Sequence, residues 1–412
     1  MRLIADGLVD REGVGGLARQ LGYSERHLHR ELVGVVGAGP LSLARAQRAQ
    51  TARVLLETTG VPIIEVASAA GFQSVRQFNA TVQAIFATTP SQLRARAQRD
   101  GPPEDSGAVL LRLPYRAPLD ADGLLDFLAL RAVPGIEEAL AGAHRRSLRL
   151  PNGAGVVELR PVEDHVQARY WLDDLRDLGP AMQRSRVLLD LDSDPEAVRQ
   201  ALSEDALLGP LIAAAPGRRV PGHTDSHELG VRAVLGQQVS LAGAATLARR
   251  LVAEFGEKLA RPVGAVAYLF PSAEALAGAD PDRLAMPTRR RRALLGLAAA
   301  LAQGDLCLDA GADRTKAREQ LLALPGIGPW TADYIAMRAL RDPDAFLPDD
   351  LGVRHALERL GEDGRPAGAE RLGERWRPYR AYAVQHLWAH LGMSTTAKRG
   401  EIESAKCAPL AA

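Results

Sequence analysis

Two glycines separated by one apolar residue and bracketed by prolines, Pro325-Gly326-Ile327-Gly328-Pro329, lie inside LLALPGIGPWTADYIAMRAL at 321–340. Two glycines in such a setting, just before a helical pattern, dictate a tight hairpin between two helices. Gly326 and Gly328 leave main-chain N–H groups uncovered, and the N-terminus of the following helix adds its dipole. Together they make an anion site suited to a phosphate, with Thr331 placed to assist. A lone G-x-G punctuates many turns. This one gains meaning from FLPDD at 346–350, which brings two carboxylates, and from the aromatic residues around it.

At 412 residues the chain is too long for one ordinary core and should form two or three domains. With 46% hydrophobic and 25% charged residues it has globular composition. No run of about 18 apolar residues exists, so neither a membrane span nor a signal peptide is expected. The only cysteines are Cys307 and Cys407. That excludes a disulfide framework, a four-cysteine zinc site and a four-thiolate iron–sulfur cluster within this sequence, and it points to the cytoplasm. Net charge is only +1, but residues 1–100 hold 12 Arg and no Lys against 8 acids. The forked guanidinium suits phosphate, so the terminal excess is weak support for a nucleic-acid partner.

The organisation expected is mainly α with an α+β domain between helical ones. Residues 1–98 read as helices joined by tight turns, and the polar RDGPPEDSG at 99–107 as a linker. Within an α+β domain over 108–190, the period shortens toward two from about 108 to 172. LRL at 148–150 and VVEL at 156–159 flank the turn Pro151-Asn152-Gly153, and VQARYW at 166–171 alternates, which predicts a small antiparallel sheet with helices near 120–132 and 176–190. Residues 191–396 read as helical throughout, and 397–412 as a tail.

The first segment repeats itself. VGGLARQLGYSERHLHREL at 14–32 and IIEVASAAGFQSVRQFNATV at 63–82 share a short apolar helix, a glycine for the left-handed turn (Gly22, Gly71), a serine at the N-cap (Ser24, Ser74) and a polar helix. This is a helix-turn-helix written twice. The second helices would expose Arg26, His27, His29 and Arg30, then Arg76, Gln77, Asn79 and Gln83, side chains able to reach phosphates or base edges from a major groove. An ordinary hairpin with a solvated face is the plainer alternative.

HLHR at 27–30 and AGF at 70–72 resemble the double helix-turn-helix domain of AraC-type regulators, in the form found in Ada adaptive-response proteins. In Ada proteins a zinc domain with four cysteines precedes this module. Here the sequence begins at the helix-turn-helix, so zinc and methyl acceptance are not expected. LPGIGPWTADY, FLPDD, RAVLGQQVS at 232–240, FLALRAV at 127–133 and ERWRPYRAYAVQHLW at 374–388 resemble, in order and spacing, the AlkA-type 3-methyladenine DNA glycosylases of the helix-hairpin-helix superfamily. The resemblance implies an α+β domain, then a helical glycosylase domain acting on alkylated double-stranded DNA. A promoter operator and RNA polymerase are the further partners that a regulator domain would imply.

That resemblance assigns roles. In isolation an Asp-Asp pair is most simply a helix N-cap. In this motif Asp350 matches the catalytic aspartate, with Asp349 the alternative. Breaking an N-glycosidic bond builds positive charge on deoxyribose, which a fixed carboxylate stabilises while orienting a water. Bifunctional relatives carry a Schiff-base lysine in the hairpin motif; Trp330 stands there, which implies a monofunctional enzyme that leaves an abasic site. Phe127, Trp330, Tyr334 and Trp388 are implied to line the base pocket. Stacking contributes ~1–3 kcal/mol per base against the few kcal/mol that flipping costs. For Phe127, Trp330 and Trp388, plain core packing is the alternative.

Gln238 matches the residue that fills the gap left by a flipped base. The carbonyls of Leu322, Leu324 and Ile327 match positions that hold a monovalent cation in relatives, the only cofactor implied. Leu351 departs from the aromatic that can follow the aspartate in relatives, which thins the pocket wall. Arg289–Arg292 reads as a solvated face or a phosphate contact. His386 and His390 read as packing or surface. The rival to an enzyme is a transcriptional regulator whose C-terminal domain binds DNA without cutting.

Overall fold

A computed structural model describes residues 1–97, 107–309 and 311–392. Of the expected linker only Gly107 falls among them, and the tail at 397–412 lies outside the described residues.

Both helix-turn-helix units form as the repeat predicts. Helix Leu8–Gln20 turns through Gly22 (φ 69°) into Glu25–Val36, and Ile63–Ala69 turns through Gly71 (φ 80°) into Val75–Phe86. Ser24 and Ser74 cap the second helices by accepting the N–H of His27 and of Gln77, each at 3.2 Å. Such caps are worth ~1 kcal/mol each. The 19-residue helix Pro40–Thr58 joins the two units, and Pro90–Ala97 closes the segment.

Five antiparallel strands follow: β1 Val109–Pro114, β2 Glu137–Leu140, β3 Ala143–Leu150, β4 Gly153–Pro161 and β5 His165–Leu172, in spatial order β1-β5-β4-β3-β2. The alternation that predicted strands is the alternation of burial: β1 runs buried-exposed throughout. Tyr170, opposite Val157 and Val109, is fully buried. Helices Ala121–Ala129 and Leu178–Leu188 pack on this sheet.

The remainder is helical with one exception. β6 Glu257–Val263 and β7 Val266–Leu269 pair as a ribbon where only helix was expected. Its pattern is weak because β6 is exposed at most positions and its register shifts between Lys258 and Val263. Packing of Leu259, Val266 and Leu269 on Val156 of the large sheet holds it, a tertiary effect that local periodicity does not carry.

A single apolar cluster runs from Leu55 and Phe78 of the helix-turn-helix segment through Val109 and Tyr170 of the sheet to Trp376 and Leu387. The N-terminal segment is therefore packed against the rest. Asp6–Arg184 at 3.6 Å and Gln20–Asp309 at 3.4 Å add polar contacts across that boundary. No helix among the described residues is long and apolar enough to cross a membrane.

Candidate active site

The hairpin lies between helices Arg314–Ala323 and Pro329–Arg338. Gly326 has φ 88°, a conformation that excludes most side chains, and an added Cβ would come 2.8 Å from Cβ of Ala293. With Pro329 at the first helical position, the N–H groups of the first turn have no intrahelical acceptor and remain available to an anion. Thr331 is placed differently from expectation. It is 2% exposed and its hydroxyl accepts Gln237 Nε2 at 3.0 Å, so its side chain faces inward and phosphate would meet main chain there.

The plainer reading of the acid pair holds, and the capping carboxylate also borders a cavity. Asp350 is the N-cap of helix Leu351–Arg359, where its Oδ1 accepts the N–H of Val353 at 2.9 Å. The same carboxylate accepts indole Nε1 of Trp388 on Oδ1 at 2.7 Å and of Trp330 on Oδ2 at 2.9 Å. Three N–H donors thus fix a carboxylate that is 8% exposed, whereas Asp349 beside it is exposed. Both line a cavity of about 980 Å³, with Trp330, Tyr334 and Trp388. Trp330 and Tyr334 stack at 5.3 Å, 16° apart, and Tyr334 tilts at 43° to Trp388.

Phe127 is not part of that lining. It is 1% exposed, stacks on Trp388 at 6.3 Å, and has Arg131 over its face at 3.7 Å and Arg338 at 4.8 Å. It acts as backing for the wall. The two guanidiniums in front of it, with Arg232, line the cavity instead. Sequence reasoning missed them, although Arg131 follows Phe127 by one helical turn within the quoted FLALRAV. Burial lowers the Arg131 guanidinium to about 10. Arg338 donates to Tyr334 Oη at 2.9 Å, and with Arg131 it pulls the phenol's pKa down against the effect of burial. The cavity wall therefore carries buried guanidinium charge as well as aromatic faces.

Arg232 is held by a buried ionic network. Glu137 and Glu228 each accept from it at 2.9 Å and from Arg146 at 3.0 and 2.7 Å. Burial pushes the Glu137 carboxyl up, but Arg232 and Arg146 outweigh it and hold the group at about 2. His223 lies 3.4 Å from Glu228, and burial keeps it neutral. Glu137, His223 and Glu228 bring their ligand atoms within 4.8 Å of one another, as in a metal site, but both carboxylates are already paired with arginine.

Gln238, Gly326, Gly328 and Thr331 all border the cavity. Leu351 stands at its mouth, 62% exposed. Of the four arginines, Arg289 and Arg290 border it; Arg290 donates to the Gln237 carbonyl at 2.5 Å, and Arg291 to that of Pro281 at 2.9 Å. His386 is core, 4% exposed, and burial lowers it to about 3. Far from the cavity in sequence, Arg26, His29, Arg30, Arg76, Gln77 and Asn79 are all exposed on the two capped helices. Arg30 also donates to His27 at 2.8 Å, and His29 packs on Gly39.

A hairpin with free N–H groups, a clamped carboxylate and an aromatic cavity, set in a helical domain behind an antiparallel sheet, define a DNA glycosylase of the helix-hairpin-helix class. Residues 231–378 match the HhH-GPD superfamily of base excision DNA repair proteins, 110–225 an AlkA N-terminal domain, and 17–96 a helix-turn-helix domain. The chain is 54% identical over 393 residues to the "Probable bifunctional transcriptional activator/DNA repair enzyme AlkA" of Mycobacterium tuberculosis, covering 95% of this chain and 79% of that one. It is 37% identical over 283 residues to DNA-3-methyladenine glycosylase 2 of Escherichia coli, covering 67% of this chain and 95% of that one. The fold is also that of a 3-methyladenine DNA-glycosylase from Archaeoglobus fulgidus, with a TM-score of 0.61 at 23% identity over 69% of this chain and 99% of that chain. This chain belongs to the AlkA family, in the form that joins an AraC-type helix-turn-helix to the glycosylase, and its macromolecular partner is DNA.

Proposed function

We propose that the chain releases alkylated purines of the 3-methyladenine and 7-methylguanine type from duplex DNA, as a monofunctional glycosylase in the cytoplasm. Asp350, clamped by two indole N–H groups and one main-chain N–H at the edge of an aromatic cavity, is the observation that carries the reading. Its carboxylate faces no reorganisation when positive charge builds on the sugar, and it is free to orient the attacking water. Trp330, Tyr334 and Trp388 stack on the flipped base. Alkylation makes that base a good leaving group, so no strong general acid is needed. The cavity lining contains arginine but no lysine, which leaves no amine to form a Schiff base with the sugar.

The main-chain N–H groups at Gly326, Gly328 and Thr331 grip the DNA backbone, and Gln238 fills the gap in the stack. The carbonyls of Leu322, Leu324 and Ile327 would hold a monovalent cation. Those of Leu322 and Leu324 lie at the C-terminal, negative end of helix Arg314–Ala323, where Pro325 supplies no N–H to continue the ladder, and that of Leu324 also accepts the N–H of Ile327 at 3.1 Å. Such a cation would brace the hairpin. The two capped helices of residues 1–98, through Arg26, His29, Arg30, Arg76, Gln77 and Asn79, read duplex DNA at an operator in an adaptive response, with RNA polymerase as the partner. The test is base release from methylated duplex by wild type and by Asp350→Asn, with products resolved before and after alkali. Release lost in the variant, and strand breaks only after alkali, are expected. No release by folded wild type on several lesions would favour the non-cutting regulator.

A further inference from the structure

Gln238 holds a backbone conformation that its side chain does not favour. Its φ is 53°, in the left-handed region that costs a non-glycine residue ~1 kcal/mol or more and persists only where neighbours impose it. The loop that carries it, between helices Ser226–Leu235 and Leu241–Phe255, is imposed from both sides. On one side the Gln237 amide donates to the Gly326 carbonyl at 2.9 Å and to the Thr331 hydroxyl at 3.0 Å, using both of its N–H bonds. On the other, Arg290 donates to the Gln237 carbonyl at 2.5 Å. Ser240 then caps the next helix by accepting the N–H of Gly243 at 3.1 Å.

These contacts close a ring. Gly326 is packed on Ala293, on the same helix as Arg290, so the hairpin, the arginine helix and the Gln238 loop each touch the other two. We propose that Gln237 is a positioning residue that locks the aim of Gln238 to the hairpin. Backbone grip and filling of the stack then act as one rigid unit, and Arg290 serves this lock rather than a phosphate. Gln237 is half-buried while Gln238 beside it is exposed, as a brace and a probe should be. The proposal rests on the reading of Gln238 as the gap-filling residue.

Two variants test it. Gln237→Ala removes the amide, and Gln237→Glu keeps its shape but, when ionised, cannot donate to the Gly326 carbonyl. Single-turnover base release should fall about tenfold for a paired alkylated base in both variants, and less than about twofold when the lesion lies opposite an abasic site, where little pairing opposes flipping. In a Gln238→Ala background, Gln237→Ala should add almost nothing, because the two residues act as a unit. Equal losses on both duplexes, or losses that add across the two positions, would overturn the proposal. A second readout needs no catalysis: the fluorescence rise of 2-aminopurine beside a stable abasic analogue on binding should be halved or lower in both variants. If wild type released no base yet this signal still depended on Gln237, the lock would stand and the glycosylase reading would fall. An unchanged signal in folded variants would sink the lock alone.

Discussion

The cavity and the helix-turn-helix segment both face DNA, and they are built on opposite plans. Around the cavity the charged groups of the buried wall are committed within the protein: Asp350 to three donors, Arg338 to Tyr334, Arg232 to two carboxylates. On the capped helices, Arg26, Arg76, Gln77 and Asn79 are exposed, over cores that end at Leu28 and Phe78. The first plan fixes a geometry for one chemical event and accepts the cost of burying charge. The second leaves side chains free to adjust to a groove. Damage to the first should therefore be severe and specific to catalysis. Damage to the second should be graded and specific to binding.

The sharpest test is at the acid pair. Asp350→Asn should lower base release by on the order of 10²–10³-fold, the range seen when one preorganised electrostatic contact is lost. Asparagine keeps the cap but has one acceptor oxygen in place of two, so one indole N–H loses its acceptor and stability should fall by ~1–3 kcal/mol. Duplex binding through the N-terminal segment should not change. Asp349→Asn, at an exposed neighbour, should cost less than about threefold. Equal effects at the two positions would break the comparison at its centre.

Acid should separate the two regions next. His144 is lowered to about 4 and His386 to about 3, both chiefly by burial, and His223 is lowered for the same reason. The unfolded chain binds these protons near 6.5, so stability is complete above that pH and is lost as pH falls toward the folded values. One pKa unit is worth ~1.4 kcal/mol, so His144 and His386 together contribute several kcal/mol, and His223 acts in the same direction. None of the three lies in residues 1–98, where His29 is exposed. Melting followed between pH 7 and 4.5 should show loss of the sheet and helical core, and His386→Leu should shrink that loss. A smaller effect is expected from Trp388→Phe, which keeps a ring in the wall but removes the 2.7 Å donor to Asp350. Hydrogen bonds to charged groups contribute ~1.5–3 kcal/mol, so kcat should fall at least about tenfold with KM little changed.

Much of this was legible in the sequence because it is written in local signals. The repeated glycine and serine gave both turn-helix units, and LPGIGPW with FLPDD gave the hairpin and the carboxylate at the cavity edge. What stayed hidden depends on contacts distant in sequence. The ribbon at 257–269 exists through packing on Val156, and Phe127 is screened by Arg338, more than two hundred positions away. Thr331 looked like a phosphate contact because a hydroxyl at a helix start usually faces solvent. Gln237, 94 residues away, turns it inward. The arginines at 289–292 were equally opaque, since a run of like charge does not reveal that one member holds a carbonyl across the cavity.

The smallest predicted effect bears most directly on the second plan. Arg76 lies in the first turn of helix Val75–Phe86, exposed, beside the Ser74 cap. If it meets a phosphate, Arg76→Ala should weaken duplex binding only a few-fold at moderate salt. It should also lower the slope of log affinity against log salt by about one, because one fewer counterion is released. Base release at saturating enzyme should be unchanged, since the cavity takes nothing from this helix. If Arg76 reads a base edge, the loss should be ~1–3 kcal/mol on one sequence and near zero on others. Titration against an operator duplex and a scrambled one at several salt concentrations separates these outcomes. A fall in base release at saturation would show that the two regions are coupled through the apolar cluster that runs between them.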